Sequence, residues 1–187
     1  MSNPTSCPDP SKSLVTGCVV CGRKNGLSCC SACNVIPYCG REHQASHRQA
    51  HKSVCNKIKR AKAQFEIEEA KLRAHPGDFM TPANPLEDED AIGRFWGLVD
   101  TRDYMRARYA YVESVIKAKS RRAIETAVRH LEDMFRLCRS DNMGLRDIAP
   151  HLYLRLGRDQ ECYGTQPSPD EAYLIPIVLY SILNCIS

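Results

Sequence analysis

Hydrophobic and polar positions along the chain change period several times, and the changes divide it into segments. Residues 1–17 are polar, carry Pro4, Pro8 and Pro10 among several serines, and offer little to bury, which predicts a disordered tail. Residues 18–55 carry few large apolar residues, Leu27, Val35, Ile36 and Tyr38 being the main core candidates, and the helix expected to carry His51 and Cys55 runs on towards Arg73. Residues 56–73 contain no Gly or Pro and are rich in Lys, Ala, Glu and Gln, which predicts a helical extension over 56–74, stopped by His75-Pro76-Gly77. Residues 75–90 read as a linker with Pro82, Pro85 and the acidic run Glu87-Asp88-Glu89-Asp90. That run precedes Ile92, Phe95 and Trp96, so it suits a helix N-terminus, where negative charge is favoured.

A helical region is predicted over 91–163. Met105, Tyr109, Val112 and Ile116 fall at i, i+4, i+7 and i+11. Ile124, Ala127, Val128, Leu131, Met134, Phe135 and Cys138 make a second stripe. Asp100 or Thr101 could cap the first helix and Ser120 the second, and the short join near Lys119-Ser120 predicts antiparallel packing. A turn at 140–144 leads to a third stretch, Leu145, Ile148, Leu152, Tyr153 and Leu156, which Pro150 should kink or start. Helices of this length and spacing resemble the tetratricopeptide type of helix pair; a plain three-helix pack is the alternative. Residues 164–187 form an apolar tail. Its almost wholly apolar run, 172–186, is shorter than the roughly 20 residues of a membrane span and contains Pro176, so a membrane role is not expected. It reads as an element tucked against the helices, or as a non-native end such as translated intron truncating a longer helical repeat.

Composition narrows the classes. Lys and Arg number 26 against 22 Asp and Glu, a net charge of +4. That is mildly basic, unlike a dedicated nucleic-acid protein. The first 13 residues lack the apolar core of a signal peptide. An intracellular, reducing location is therefore expected, nucleus and cytoplasm not being distinguished, and there clustered cysteines read as metal ligands rather than disulfides.

The ligand candidates run Cys18-x-x-Cys21, Cys30-x-x-Cys33, Cys39, His43, His47, His51 and Cys55. A Cys-x-x-Cys pair lets two thiolates from one tight turn reach one ion, and the set supplies enough ligands for two zinc ions. His51 and Cys55 lie one helical turn apart, as do Cys39 and His43. If the chain from His43 to Cys55 is helical, its ends are about 18 Å apart at 1.5 Å per residue. Those two residues then cannot share an ion, and each must recruit a different Cys-x-x-Cys; spacing leaves open which. The spacing to Cys33 favours Cys30 over Cys29, leaving Cys29 as a free thiol beside the site. Cys7, Cys138, Cys162 and Cys185 stand alone.

These residues, with Tyr38-Cys39, His43-Gln44-x-x-His47 and His51-Lys52-x-x-Cys55, resemble the MYND-type zinc finger over residues 18–55. The resemblance implies a small finger with two interleaved sites: Cys18, Cys21, Cys39 and His43 hold one zinc, and Cys30, Cys33, His51 and Cys55 the other. It makes His47 a non-ligand. Two positions depart from the family pattern: His43 stands where Cys is usual, and Arg48 stands where an aromatic residue often follows the middle histidine. Members that bind proline-rich peptides use that aromatic with a neighbouring Gln, here Gln44. Gln44, Arg48 and the Val35–Tyr38 segment are thus the candidate partner contacts.

The expected architecture is a zinc-stabilised finger followed by an all-α region, and the expected role is a non-enzymatic interaction module acting as an adaptor or regulator. Nucleic-acid binding through the basic residues of 41–62, and a ubiquitin-ligase-like or truncated methyltransferase-related protein, are the alternatives. His130 and Glu161, the remaining acid/base candidates, have no partners at meaningful spacing. With so little apolar content, the finger should draw its folding energy from metal. A strong chelator is expected to abolish hydrogen-exchange protection across residues 18–55; protection that survives metal removal would contradict this.

Overall fold

The computed structural model describes residues 14–164. The apolar tail over 165–187 lies outside them, with the readings attached to it. Two short strands, β1 (Ser28–Cys29) and β2 (Pro37–Tyr38), pair antiparallel with Ser28 opposite Tyr38. Helices α1 (Arg41–Ser46) and α2 (Arg48–Arg73) follow. Beyond two 3-10 turns at Phe95–Gly97 and Val99–Thr101 come α3 (Arg102–Ile116), α4 (Arg121–Leu137), α5 (Leu145–Leu156) and α6 (Asp159–Gly164). A zinc-type finger with two Cys/His groups is thus followed by a mostly helical region. No helix among the described residues is long and apolar enough to cross a membrane.

Helix α2 joins the two parts. Its buried residues are His51, Cys55, Ile58, Phe65 and Leu72, one stripe that begins at the metal-ligand candidates and ends against α3. On its outer face Lys62 pairs with Glu66 at 3.4 Å and Arg73 with Glu69 at 2.7 Å. Such exposed pairs contribute only about 0.3–0.5 kcal/mol each, so the buried stripe holds the helix in place. One cluster of buried side chains runs from Leu14 through Val35, Ile36 and Tyr38 to Leu156. The finger therefore shares its core with the helices.

The chain is ordered earlier than its composition suggests. Leu14 is buried, Val15 N–H donates to the Lys119 carbonyl at 3.2 Å, and Arg121 N–H donates to the Val15 carbonyl at 2.9 Å. A backbone pairing with the α3–α4 loop, remote in sequence, fixes residues that looked disordered. Residues 75–90 are also pinned. The Asp78 carboxylate accepts from the Met80 and Thr81 N–H groups, both at 2.7 Å, and the fully buried Thr81 donates its hydroxyl to Asp100 at 2.8 Å. Gly77 sits at φ 86°, where a Cβ would lie 2.9 Å from the Ala83 nitrogen, so only glycine fits. The acidic run closes a turn, Asp88 accepting from Ala91 N–H at 2.8 Å, and the next α-helix starts only at Arg102.

Helix α3 differs from its expected single stripe. Tyr104, Met105, Ala107, Arg108, Tyr111, Val112, Ser114 and Val115 are buried, while Tyr109 and Ile116 are only partly covered. The reason is that α3 packs against both α2 and α4. Buried Arg108 pairs with Asp133, donates to the Tyr104 hydroxyl at 2.7 Å and lies over the Phe65 ring at 5.5 Å. His130 faces the same guanidinium at 3.3 Å, and burial, reinforced by Arg108, pushes its pKa down to about 4 and keeps it neutral. Pro150 lies inside α5 rather than at its start, and Asp141 supplies the N-terminal cap by accepting from Leu145 N–H at 2.7 Å.

Thr101 does not cap α3; its hydroxyl donates to the carbonyls of Leu98 and Phe95. Ser120 does cap α4, accepting from Ala123 N–H at 3.1 Å, and it also donates to the Val35 carbonyl of the finger. One fully buried hydroxyl serves both parts of the molecule. Ser120→Ala is expected to destabilise the protein by about 1–2 kcal/mol, seen as a lower denaturation midpoint. Exchange protection around Val35 should fall with it; a loss confined to α4 would show that the link to the finger contributes nothing.

Candidate metal centre

The turn that carries Cys18 and Cys21 is closed by Gly22 N–H donating to the Cys18 carbonyl at 2.8 Å and Cys18 N–H donating to Arg23 at 2.8 Å. Gly17 lies so close to the Gly22 and Arg23 carbonyls that any side chain would collide with them. The second turn is built alike: Asn34 N–H donates to the Cys30 carbonyl at 2.8 Å and Cys30 N–H to Ile36 at 2.9 Å. Cys39 follows β2, His43 lies on α1, and His51 and Cys55 occupy successive turns of α2. The helix does not run unbroken from His43 to Cys55: His47 separates α1 from α2.

These elements gather two groups. Cys18, Cys21, Cys39 and His43 form one; Cys30, Cys33, His51 and Cys55 form the other, and in each all four donor atoms lie within 4.8 Å of one another. In the first, Cys21 and Cys39 Sγ are 3.6 Å apart, and His43 Nδ1 is 3.0 Å from Cys39 and 3.5 Å from Cys18. In the second, Cys30 and Cys55 Sγ are 3.8 Å apart, and His51 Nε2 is 3.4 Å from Cys33. Tetrahedral zinc with sulfur at about 2.3 Å and nitrogen at about 2.0 Å places neighbouring donors about 3.5–3.8 Å apart. None of these cysteines is in a disulfide. His43 and Cys55 fall in separate groups, and the finger pairs one Cys-x-x-Cys with each downstream pair.

Electrostatics argue for a dication at each group. Burial and the neighbouring thiols push Cys33 up to about 12 and Cys39 up to about 11. Burial also acts on Cys18 and Cys30, but backbone N–H donors outweigh it and lower both, Cys18 to about 5. Burial lowers the His51 pKa, favouring the neutral imidazole that a metal requires. Three thiolates around one neutral imidazole carry three negative charges that a divalent cation offsets. The donor set thus fits two zinc ions, each with four protein ligands and no open position, which is the structural type of site. The second group is wholly buried, whereas Cys21 of the first is exposed.

His47 belongs to neither group. Its Nδ1 lies 3.0 Å from the Tyr38 hydroxyl, and its ring stacks on His51 at 5.9 Å and 13°. It therefore orients a ligand imidazole. Sequence reasoning missed that role, although its place one turn before His51 was the available signal. Tyr38, a candidate partner contact, is only 2% exposed, and Val35, Ile36 and Pro37 are buried too; the hairpin spends this segment on the shared core. Gln44 is half-buried and Arg48 exposed, where α1 meets α2. Cys29 stays outside both groups, and Cys138 donates to the Ser140 carbonyl at 3.0 Å. A third set, His75, Asp78 and Asp100, lies together, but Gly77 N–H donates to His75 Nδ1 at 3.1 Å. That bond leaves the proton on Nε2, so the imidazole faces Asp78 as a donor and not as a metal ligand.

Elemental analysis of purified protein is expected to give two zinc ions per chain, Cys30→Ser to give one, and Cys29→Ser to leave two. Equal losses from both substitutions would overturn the ligand choice. Metal affinity should fall as pH falls, because the raised thiols must lose protons to bind; the first group, with its exposed Cys21, should empty first.

Residues 18–55 match the family model for the MYND finger. No solved structure matches the chain. Donor order, donor geometry and that match coincide on one segment: residues 18–55 form a MYND finger, a zinc-binding module of a type that commonly mediates protein interactions.

Proposed function

We propose that the protein is an intracellular adaptor or regulator without enzymatic activity, holding a protein partner on its finger and helical scaffold. The observation that carries this reading is the filling of both donor groups by four protein ligands. A metal so enclosed offers no site for water or substrate, which leaves the module its surface to work with. Gln44 and Arg48 are the contacts on the finger, and a proline-rich peptide is the partner chemistry they suit. Arg48 in the usual aromatic position favours a peptide with an acidic residue near its prolines. Zinc-loaded protein is expected to retain an immobilised proline-rich peptide and to lose it on chelation; Gln44→Ala and Arg48→Ala should each weaken capture without changing metal content. Capture that ignores both chelation and these substitutions would refute the assignment.

One observation favours a second reading, contact with a polyanion. Arg48, Lys52 and Lys59 are exposed and fall within about 40° of one another around α2, making a basic stripe. Nucleic-acid binding through it would weaken steeply with added salt and show little sequence preference. Binding that holds as salt rises would remove this alternative. Methyl transfer from S-adenosylmethionine and ubiquitin transfer are both expected to be absent.

A further inference from the structure

We propose that the groove between the finger and α4 binds an extended acidic peptide segment of a protein partner. The inference rests on the interaction reading above but uses a different surface. The groove has a volume of about 530 Å³ and lies where the chain entry at Val15 and Thr16, the finger, α2, α3 and α4 converge. Leu27, Val35 and Phe65 contribute apolar walls, and Lys62, Arg121, Arg122 and Arg129 a basic rim. Glu125 is the one carboxylate lining it among the described residues, and Arg121 holds it at 2.9 Å. Lys62 is shared with Glu66 at 3.4 Å. Arg122 and Arg129 are exposed and have no carboxylate partner among the described residues. His130, also on the wall, is occupied by the buried Arg108.

The two unmatched guanidinium groups set the spacing of the ligand. Seven residues apart on α4, they share one face and their backbones are separated by about 10.5 Å along the axis. In a polyproline-type extended peptide, side chains three residues apart share a face and are separated by about 9.3 Å. Carboxylates at i and i+3 can thus meet both arginines, each in a bidentate pair. An aliphatic side chain between them would enter against Leu27 and Phe65. Apolar walls under a charged rim are the usual build of a cleft that takes side chains, and the volume falls within the roughly 300–1,000 Å³ of such clefts. A single nucleic-acid strand is less suited, because it needs exposed aromatic faces for stacking, and Phe65 and Tyr111 are only 7% and 5% exposed.

The test uses full-length, zinc-loaded protein and a fluorescein-labelled peptide with two glutamates three residues apart flanking a leucine. A counterpart carries glutamine at both acidic positions. Anisotropy titration is expected to show binding of the first peptide and at least about tenfold weaker binding of the second. The double variant Arg122→Gln, Arg129→Gln should weaken binding by a similar factor while keeping zinc content and helical circular dichroism. Equal affinity of the two peptides, unchanged affinity of the double variant, or more effective displacement of the probe by a single-stranded oligonucleotide than by unlabelled acidic peptide would each overturn the proposal. Proline-rich peptide capture is scored in parallel: if it persists while the acidic peptide fails to bind, the groove is refuted and the finger reading stands.

Discussion

Six cysteine thiols and two imidazoles, drawn from five places in the first third of the chain, sit in two tight clusters. Left to themselves such clusters oppose folding. Burial and mutual repulsion hold Cys33 and Cys39 in the protonated form, and a protonated thiol is a poor organiser of loops. A divalent ion reverses the balance, because it turns repulsion among thiolates into shared attraction and replaces the hydration they lose. The two-residue strands of the hairpin are too short to hold this segment by backbone pairing alone. Backbone N–H groups in the two Cys-x-x-Cys turns contribute by favouring the thiolates of Cys18 and Cys30 before any ion arrives.

The second cluster is also where metal binding meets ordinary hydrophobic packing. Cys30, Cys33 and Cys55 are buried beside Val35, Tyr38 and Ile58, and His51 is braced by the stacked ring of His47. From there the buried stripe of α2 continues through Phe65 to Leu72, against α3. Two further ties close the junction: the Val15 backbone with the α3–α4 loop, and the Ser120 hydroxyl with Val35. At the far side Arg108 is accommodated by Asp133, Tyr104 and Phe65, so α3 can be covered on two faces although it carries a charge.

Much of this was legible in the residues because the signals are local. Cys-x-x-Cys spacing, one-turn pairs on a helix, the Gly- and Pro-free run to Arg73 and the serine ahead of α4 each reflect a short-range constraint. What escaped depends on partners distant in sequence. Leu14 and Val15 look like tail residues until the α3–α4 loop supplies their hydrogen bonds. Tyr109 and Ile116 fit a single helical stripe, but the choice of α3's buried faces is made by α2 and α4 together. Tyr38 belongs to a surface motif by pattern, yet its ring fills the junction and its hydroxyl meets His47. The acidic run before Ile92 escaped for a local reason instead: it has helix-start chemistry, but Asp88 accepts from Ala91 N–H three residues on and closes a turn.

The unbroken course of α2 from Arg48 to Arg73 has a consequence for modularity. A finger is commonly treated as a cassette, to be excised, swapped or fused at its last ligand. Here a cut after Cys55 would divide a helix whose remaining turns are the outer wall of the neighbouring bundle, stranding Ile58, Phe65 and Leu72 in water and opening Tyr104 and Tyr111 behind them. The natural unit of transplantation is the finger with α2, α3 and α4 attached, and any recombination that respects the motif boundary would damage both halves.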